Sequence, residues 1–340
     1  MARQSQFLSI LLVLQIALAA ILYFTETDSG AFVSNEKLLD LKFDDLDKIV
    51  IEEAEKKTLV LQKQNKNWTL PGYFDFPVSR EKLDRIFGKI FETGVGWPVA
   101  TTASAEKRFK VAPDSFERKL VLSTANASET LYLGTSPGFK KIHARIDGEN
   151  TIYGIEFSAY QASTKPIDWA DQSILHVSRE EINAIEISGL VIKKVEDKFV
   201  IEGLAEGEQA VDSEIQSLLS NVSTIGFQEV LGKKDDPSYQ LDAPDMELTL
   251  VKKDGQRISY RYGKSKDKEG YVLKPSDSDY YFMVPKFDVD SLLGVDRKKL
   301  VKSAVPVPSL EPKPEAQAPV PVTETAPVPI TEPRSKSQHK

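Results

Sequence analysis

Apolar residues run almost unbroken from Phe7 to Phe24, "FLSILLVLQIALAAILYF", with only Ser9 and Gln15 as polar interruptions. A helix over this run reaches about 27 Å, enough to cross a bilayer core once. Beyond it the texture becomes periodic. "LDKIVI", Leu46 to Ile51, alternates apolar and polar positions as a half-buried strand does, and "INAIEI", Ile182 to Ile187, repeats that alternation. Leu83, Ile86, Phe87 and Ile90 then fall at helical spacing, as do Ile215, Leu218, Leu219 and Val222.

Between strand and helix, Trp68 stands where Phe199 stands later, each followed by a glycine turn at Gly72 or Gly203. Downstream, "RFKVAPDSFERKLVL" from Arg108 corresponds to "SYQLDAPDMELTLVK" from Ser238, an Ala-Pro-Asp turn before an alternating strand in both. "ETLYLG" and "RISYRYG" end at Gly134 and Gly263, and Asp147-Gly148 and Asp254-Gly255 mark antiparallel hairpins. The predicted fold class is α+β: two tandem repeats of an antiparallel-sheet-plus-helix unit, each burying its helix stripe on its own sheet. The expected divisions are an anchor at 1–24, a linker at 25–45, repeats at 46–178 and 179–302, and a tail at 303–340.

Composition narrows the partners. The net charge is −7 over 340 residues, and the basic residues are scattered, so nucleic acid is not an expected partner. The absence of Cys excludes disulfides, thiol nucleophiles and Cys-ligated metals. Arg3 and the amino terminus precede the apolar run while Glu26 and Asp28 follow it, which leaves the N-terminus cytoplasmic and exports the rest. The expected location is the inner membrane, single-pass, with the bulk of the chain in the periplasm. Ala17-Leu18-Ala19 offers the competing reading of a signal peptide cleaved after Ala19, although "AILYF" prolongs the apolar run past that point. From Ser303 onward, proline-spaced "PVPSLEPKPEAQAPVPVTETAPVPITEP" predicts an extended, disordered arm, a solubilising tail or a spacer.

Several fragments imitate catalytic motifs. "GTSPG" sets Ser136 in a nucleophile-elbow pattern, but Pro137 lacks the backbone N–H that an oxyanion hole needs there, so a hairpin turn is expected. "GVGWPV" from Gly94 follows a helix where a dinucleotide loop follows a strand, and "YGKS" at Tyr262 to Ser265 has Ile258 where a P-loop has its first glycine. His143, His176 and His339 are too far apart for a helical metal pair, with His143 expected as a structural strand residue. Asp44-Asp45-Asp47, Asp235-Asp236 and Asp277 with Asp279 read as solvated turns, and the calcium series D-x-D-x-D-G is missing. Catalytic residues, metals and cofactors are therefore not expected. Tyr260, Tyr262, Tyr271, Tyr280, Tyr281 and Phe282 crowd the second unit's strands. Exposed, the tyrosines would suit stacking on sugar rings or a partner surface; buried, they would be ordinary cross-strand core. Arg297, Lys298, Lys299 and Lys302 predict the charged side of a closing helix.

Trp68 to Pro71, Phe109 to Pro113, Leu131 to Gly134 and Ile152-Tyr153 together resemble the exported proteins grouped as domain of unknown function 4340, with Phe199 replacing the tryptophan in the second copy. The resemblance covers about Leu46 to Lys302. It implies a single N-terminal membrane segment and, from the frequent encoding of members beside gliding-type ABC export systems, a non-enzymatic scaffold or accessory of a membrane transport complex. Protein partners in such a complex, and the inner membrane through residues 7–24, are the expected partners. A periplasmic module binding an envelope glycan or peptide through the tyrosine-rich sheet is the alternative.

Overall fold

A computed structural model describes residues 37–55 and 57–303, with residues 12 and 14–17 of the N-terminal run. Leu12, Leu14 and Ile16 are helical and exposed. No helix among the described residues is long and apolar enough to cross a membrane. The rest of the predicted anchor, the Ala19 position and the proline-rich stretch from residue 304 lie outside the described residues.

The first unit opens with a meander of β1 (Lys48–Glu53), β2 (Thr58–Gln64) and β3 (Asn67–Leu70), followed by β4 (Phe76–Pro77). Alternation buries Ile49, Ile51, Leu59, Leu61, Trp68 and Leu70 on one face. Asn65 and Lys66, both at positive φ, make the tight β2–β3 turn. Helix α1 (Arg80–Glu92) starts at Ser79, whose Oγ accepts from the Lys82 N–H, and buries Leu83, Ile86, Phe87, Ile90 and Phe91. The short α2 (Ala103–Arg108) and the hairpin β5 (Val111–Ala112) and β6 (Ser115–Phe116) lead into β7 (Arg118–Ser123), β8 (Ser128–Leu133), β9 (Ile142–Ile146) and β10 (Tyr153–Ile155). The sheet runs β10-β9-β8-β7-β1-β2-β3-β4, antiparallel throughout.

The second unit comprises β11 (Ile182–Ile187), β12 (Leu190–Val195), β13 (Lys198–Ile201), β14 (Glu208–Ala210), α3 (Asp212–Ser223), β15 (Glu229–Gly232), β16 (Met246–Lys252), β17 (Arg257–Lys264), β18 (Tyr271–Pro275) and β19 (Tyr281–Val284). Helices α4 (Lys286–Leu293) and α5 (Arg297–Leu300) and strand β20 (Val301–Ser303) close it. Its sheet runs β13-β12-β11-β16-β17-β18-β19-β15. Seven strands correspond in inverted order, β10-β9-β8-β7-β1-β2-β3 to β19-β18-β17-β16-β11-β12-β13, with the early meander meeting the later one through β11–β16 as through β1–β7, while the eighth sits on opposite edges, β4 beside β3 and β15 beside β19. The chain is thus an α+β protein of two tandem antiparallel sheets, each packed under an amphipathic helix.

The correspondence extends to single atoms. A Cβ on Gly134 would lie 2.0 Å from the Phe109 carbonyl oxygen, and one on Gly263 would lie 2.2 Å from that of Tyr239. Both glycines let the strand end pass under the turn that carries Lys110 or Gln240 at positive φ. On the sheet face away from the long helix, that turn covers a smaller cluster: Val111 and Tyr132 in the first unit, Leu241 and Tyr281 in the second. A cation sits over each tyrosine, Arg145 over Tyr132 at 5.0 Å and Lys274 over Tyr281 at 4.7 Å. Each unit also closes alike. The N–H of Ser79, just before α1, donates to Trp169 O, and that of Val211, just before α3, to Leu300 O.

One expectation needs correction. The closing helix stops at Leu300, and Lys302 belongs to β20, which pairs with β14 because the orphan backbone edge before α3 needs a partner. Each unit keeps its own core, and the second unit's takes in Phe76 and Ala170 from the first. Phe76 meets Phe227, Tyr280 and Phe282 edge-on at 5.6, 4.8 and 6.0 Å. Beside it, Tyr73 Oη accepts from the Val230 N–H at 2.7 Å, and Tyr280 Oη lies 3.3 Å from the Phe74 and Asp75 carbonyls. The turn after β3 therefore clasps the β15–β19 edge of the second sheet.

Candidate functional site: a cavity in the second unit and exposed aromatics on the first

The tyrosines expected to offer a stacking face do not form one. Tyr260, Tyr262, Tyr271 and Tyr281 are buried, and Tyr280 is half-buried in the clasp. The strand pattern explains this, since Ile258, Tyr260 and Tyr262 share the inward face while Arg257, Ser259 and Arg261 take the other. Tyr271 joins the main core, and Tyr281 the smaller one on the opposite face. Burial raises the hydroxyl pKa of Tyr260 and Tyr262 far above the ordinary range, with Asp277 adding to the first and Tyr260 and Asp288 to the second. Both phenols stay protonated.

Tyr262 is nevertheless the most chemically open of the set. Its ring is fully buried, yet Oη has no hydrogen-bond partner. The residue forms part of the wall of a cavity of about 460 Å³ between the end of α3 and α4, where Ile225, Val284 and Leu292 supply apolar walls. Asn221, Ser291 and Asp288 line its mouth. Asn221 Nδ2 lies 3.4 Å from Ser291 Oγ, and Ser291 Oγ donates to Asp288 O at 2.6 Å. Such a chamber can hold a small ligand with an apolar body and a polar group for Asn221 or Ser291. Sequence reasoning singled out Tyr262 but not the α3 and α4 residues, whose polar letters look like ordinary helix surface.

The catalytic look-alikes are occupied structurally. Ser136 Oγ donates to the Gly138 and Lys141 carbonyls, each at 2.7 Å, as a hairpin turn requires. His143 is buried against Phe109, 4.2 Å between ring centres, with Nδ1 3.0 Å from Thr135 Oγ1. Burial lowers its pKa, offset in part by the hydrogen bond of the ring to the Thr135 backbone. Arg145, also buried, donates from Nε to Val111 O at 2.8 Å and from Nη1 to Glu149 O at 2.7 Å, while its Nη2 meets the Glu106 carboxylate at 3.4 Å. It pins the turn and α2 to the sheet. Among the described residues no group of three or more His, Asp or Glu could hold a metal ion.

Both units bear large apolar side chains outside, Phe287 at 83% exposure in the second. Phe139, Tyr160 and Trp97 of the first are 87%, 88% and 74% exposed. Beside them a groove of about 640 Å³ is lined by Lys89, Thr93, Lys140, Glu156 and Gln161.

Fold and sites together define a class: a duplicated α+β module whose halves meet through Phe76 and differ in what they present. Residues 68–244, more than half of the chain, match the family model described as Domain of unknown function (DUF4340), and the chain belongs to that family. The match opens at Trp68 and closes at Pro244, at the second Ala-Pro-Asp turn. No curated protein and no solved structure matches the chain.

Proposed function

We propose that the protein is a non-enzymatic envelope protein, held at the outer face of the inner membrane by residues 7–24 and serving as a scaffold or accessory subunit of an ABC-type transport complex. The observation that carries this is the pairing of one apolar N-terminal run with a doubled body joined through the Phe76 clasp. A scaffold has to hold two surfaces at a fixed geometry, and a packed aromatic contact between the units does that where a linker does not. Photo-crosslinkers placed at exposed positions of both units in intact membranes test it. Adducts with a membrane-embedded transporter subunit are expected, and adducts confined to soluble proteins would contradict it.

A second reading is favoured by the cavity between α3 and α4: the second unit binds a small envelope glycan or peptide there, not on a tyrosine face. Titration of the protein with soluble cell-wall fragments should then give saturable binding that Asn221→Ala weakens. Equal binding by the variant would remove the cavity from consideration.

A further inference from the structure

The exposed aromatics of the first unit converge on one end of its sheet. Ala100 bridges Ile152 in antiparallel sense, with the Val99 N–H donating to Ile152 O at 2.8 Å, so the chain before it carries Trp97 alongside the Ile155 end of β10. From the other side, Ile142 pairs with Ile155, which sets the 138–141 hairpin and Phe139 at that same end. Tyr160 lies just beyond, in the short helical turn Ala159–Gln161. Lys140, Phe157 and Gln161 line one groove there together with Thr93 of the residue run leaving α1.

The N-terminal segment joins the folded body at this very place. Lys37 bridges Gly94, and the Leu38 N–H donates to Thr93 O at 3.2 Å. Between Lys37 and the end of the apolar run at Phe24 stand residues 25–36, a stretch that spans at most about 40 Å when fully extended. A chain anchored at Phe24 therefore keeps the attachment point beside this rim within about 40 Å of the lipid. Trp, Tyr and Phe are side chains that settle at the headgroup level, with lysine stems able to lie along the same boundary. Lys89 and Lys140 are offset in the groove by Glu92 and Glu156, so the contact is made by rings more than by charge.

We propose that Trp97, Phe139 and Tyr160 form a membrane-contact rim that seats the first unit on the bilayer interface, leaving the second unit and its cavity pointing away. This rests on the tethered reading above, and the test separates the two. The full chain is reconstituted in vesicles of phosphatidylcholine with and without phosphatidylglycerol. Trp68 and Trp169 are buried, at 5% and 0% exposure, so the difference between the native protein and Trp97→Phe isolates the exposed indole. The expected result is a blue-shifted Trp97 emission that spin-labelled lipid quenches and aqueous iodide does not, similar in both lipid mixtures. Changing Phe139 and Tyr160 to Ser should restore iodide quenching. Protein that floats with the vesicles but keeps Trp97 open to iodide overturns the rim and leaves the tether standing. Protein that does not float at all overturns both.

Discussion

The two units share a backbone plan and part company in where they put their aromatic side chains. In the second, the tyrosines are folded inward, and a cavity with Tyr262 in its wall opens beside the exposed Phe287. In the first, Trp97, Phe139 and Tyr160 stand in solvent around the point where the N-terminal segment joins. What stays common is steric: Gly134 and Gly263 under their carbonyls, the positive-φ residue above each, and a cation over a tyrosine. Duplication has kept the positions where backbone meets backbone and released those that face outward, which is how one scaffold acquires two different surfaces.

The steric half of that comparison is the easiest to break. Gly134→Ala and Gly263→Ala each force a methyl group to within about 2 Å of a backbone oxygen, and each should cost at least about 3 kcal/mol in urea denaturation. Losses of similar size are expected, because the two sites are geometrically alike; tolerance at one and collapse at the other would end the equivalence. Next in size is Phe76→Ala, which empties a fully buried site shared by both units. About 3–5 kcal/mol is expected, with a single unfolding transition splitting into two as the units uncouple. A single transition retained in the variant would show that the clasp does not couple them.

Removing one hydroxyl sharpens the contrast between clasp and cavity. Tyr73→Phe leaves the Val230 N–H without its partner and should destabilise by about 1–2 kcal/mol. Tyr262→Phe removes a buried hydroxyl that pairs with nothing, so stability should hold or rise slightly, by up to about 1 kcal/mol. The same substitution thus has opposite signs at two sites, and equal losses would mean that the Tyr262 hydroxyl is satisfied after all.

The smallest effect is a dependence on pH. Burial holds the folded-state pKa of His143 below its ordinary value of 6.5, so the neutral ring is the form that the fold accommodates. The associated stability is fully present above the unfolded value and is lost as pH falls through the lower folded one. Urea midpoints measured from pH 7 to pH 5 should therefore drop more steeply for the native protein than for His143→Gln, and parallel curves would contradict this.

Much of the plan was legible because it is local. Helical spacing exposed the stripes at Leu83 and Ile215, and the duplicated Ala-Pro-Asp turns located Gly134 and Gly263 before any contact was visible. Of the two readings of the tyrosines, the buried one holds, and its reason was present in the letters. Tyr260 and Tyr262 alternate with Ser259 and Arg261, and that alternation already assigns the rings to the inside. Tyr281 was harder, since its own face is covered only by the distant turn around Leu241. The clasp had no signal in the sequence: Tyr73 and Val230 are 157 positions apart, and nothing near either one names the other. Trp169 was seen only as part of a boundary, yet it is fully buried and stacks on Phe87 at 5.6 Å.

The chain has no cysteine, so single cysteines introduced at Arg3 and at Lys302 report sidedness against a silent background. Labelling intact cells with a membrane-impermeant maleimide that reaches the periplasm should mark the Lys302→Cys protein at once and the Arg3→Cys protein only after lysis, with both recovered in the membrane fraction. Labelling of Lys302→Cys only after lysis, or a soluble mature protein that has lost the Arg3 position, would contradict an exported body tethered by its N-terminal run.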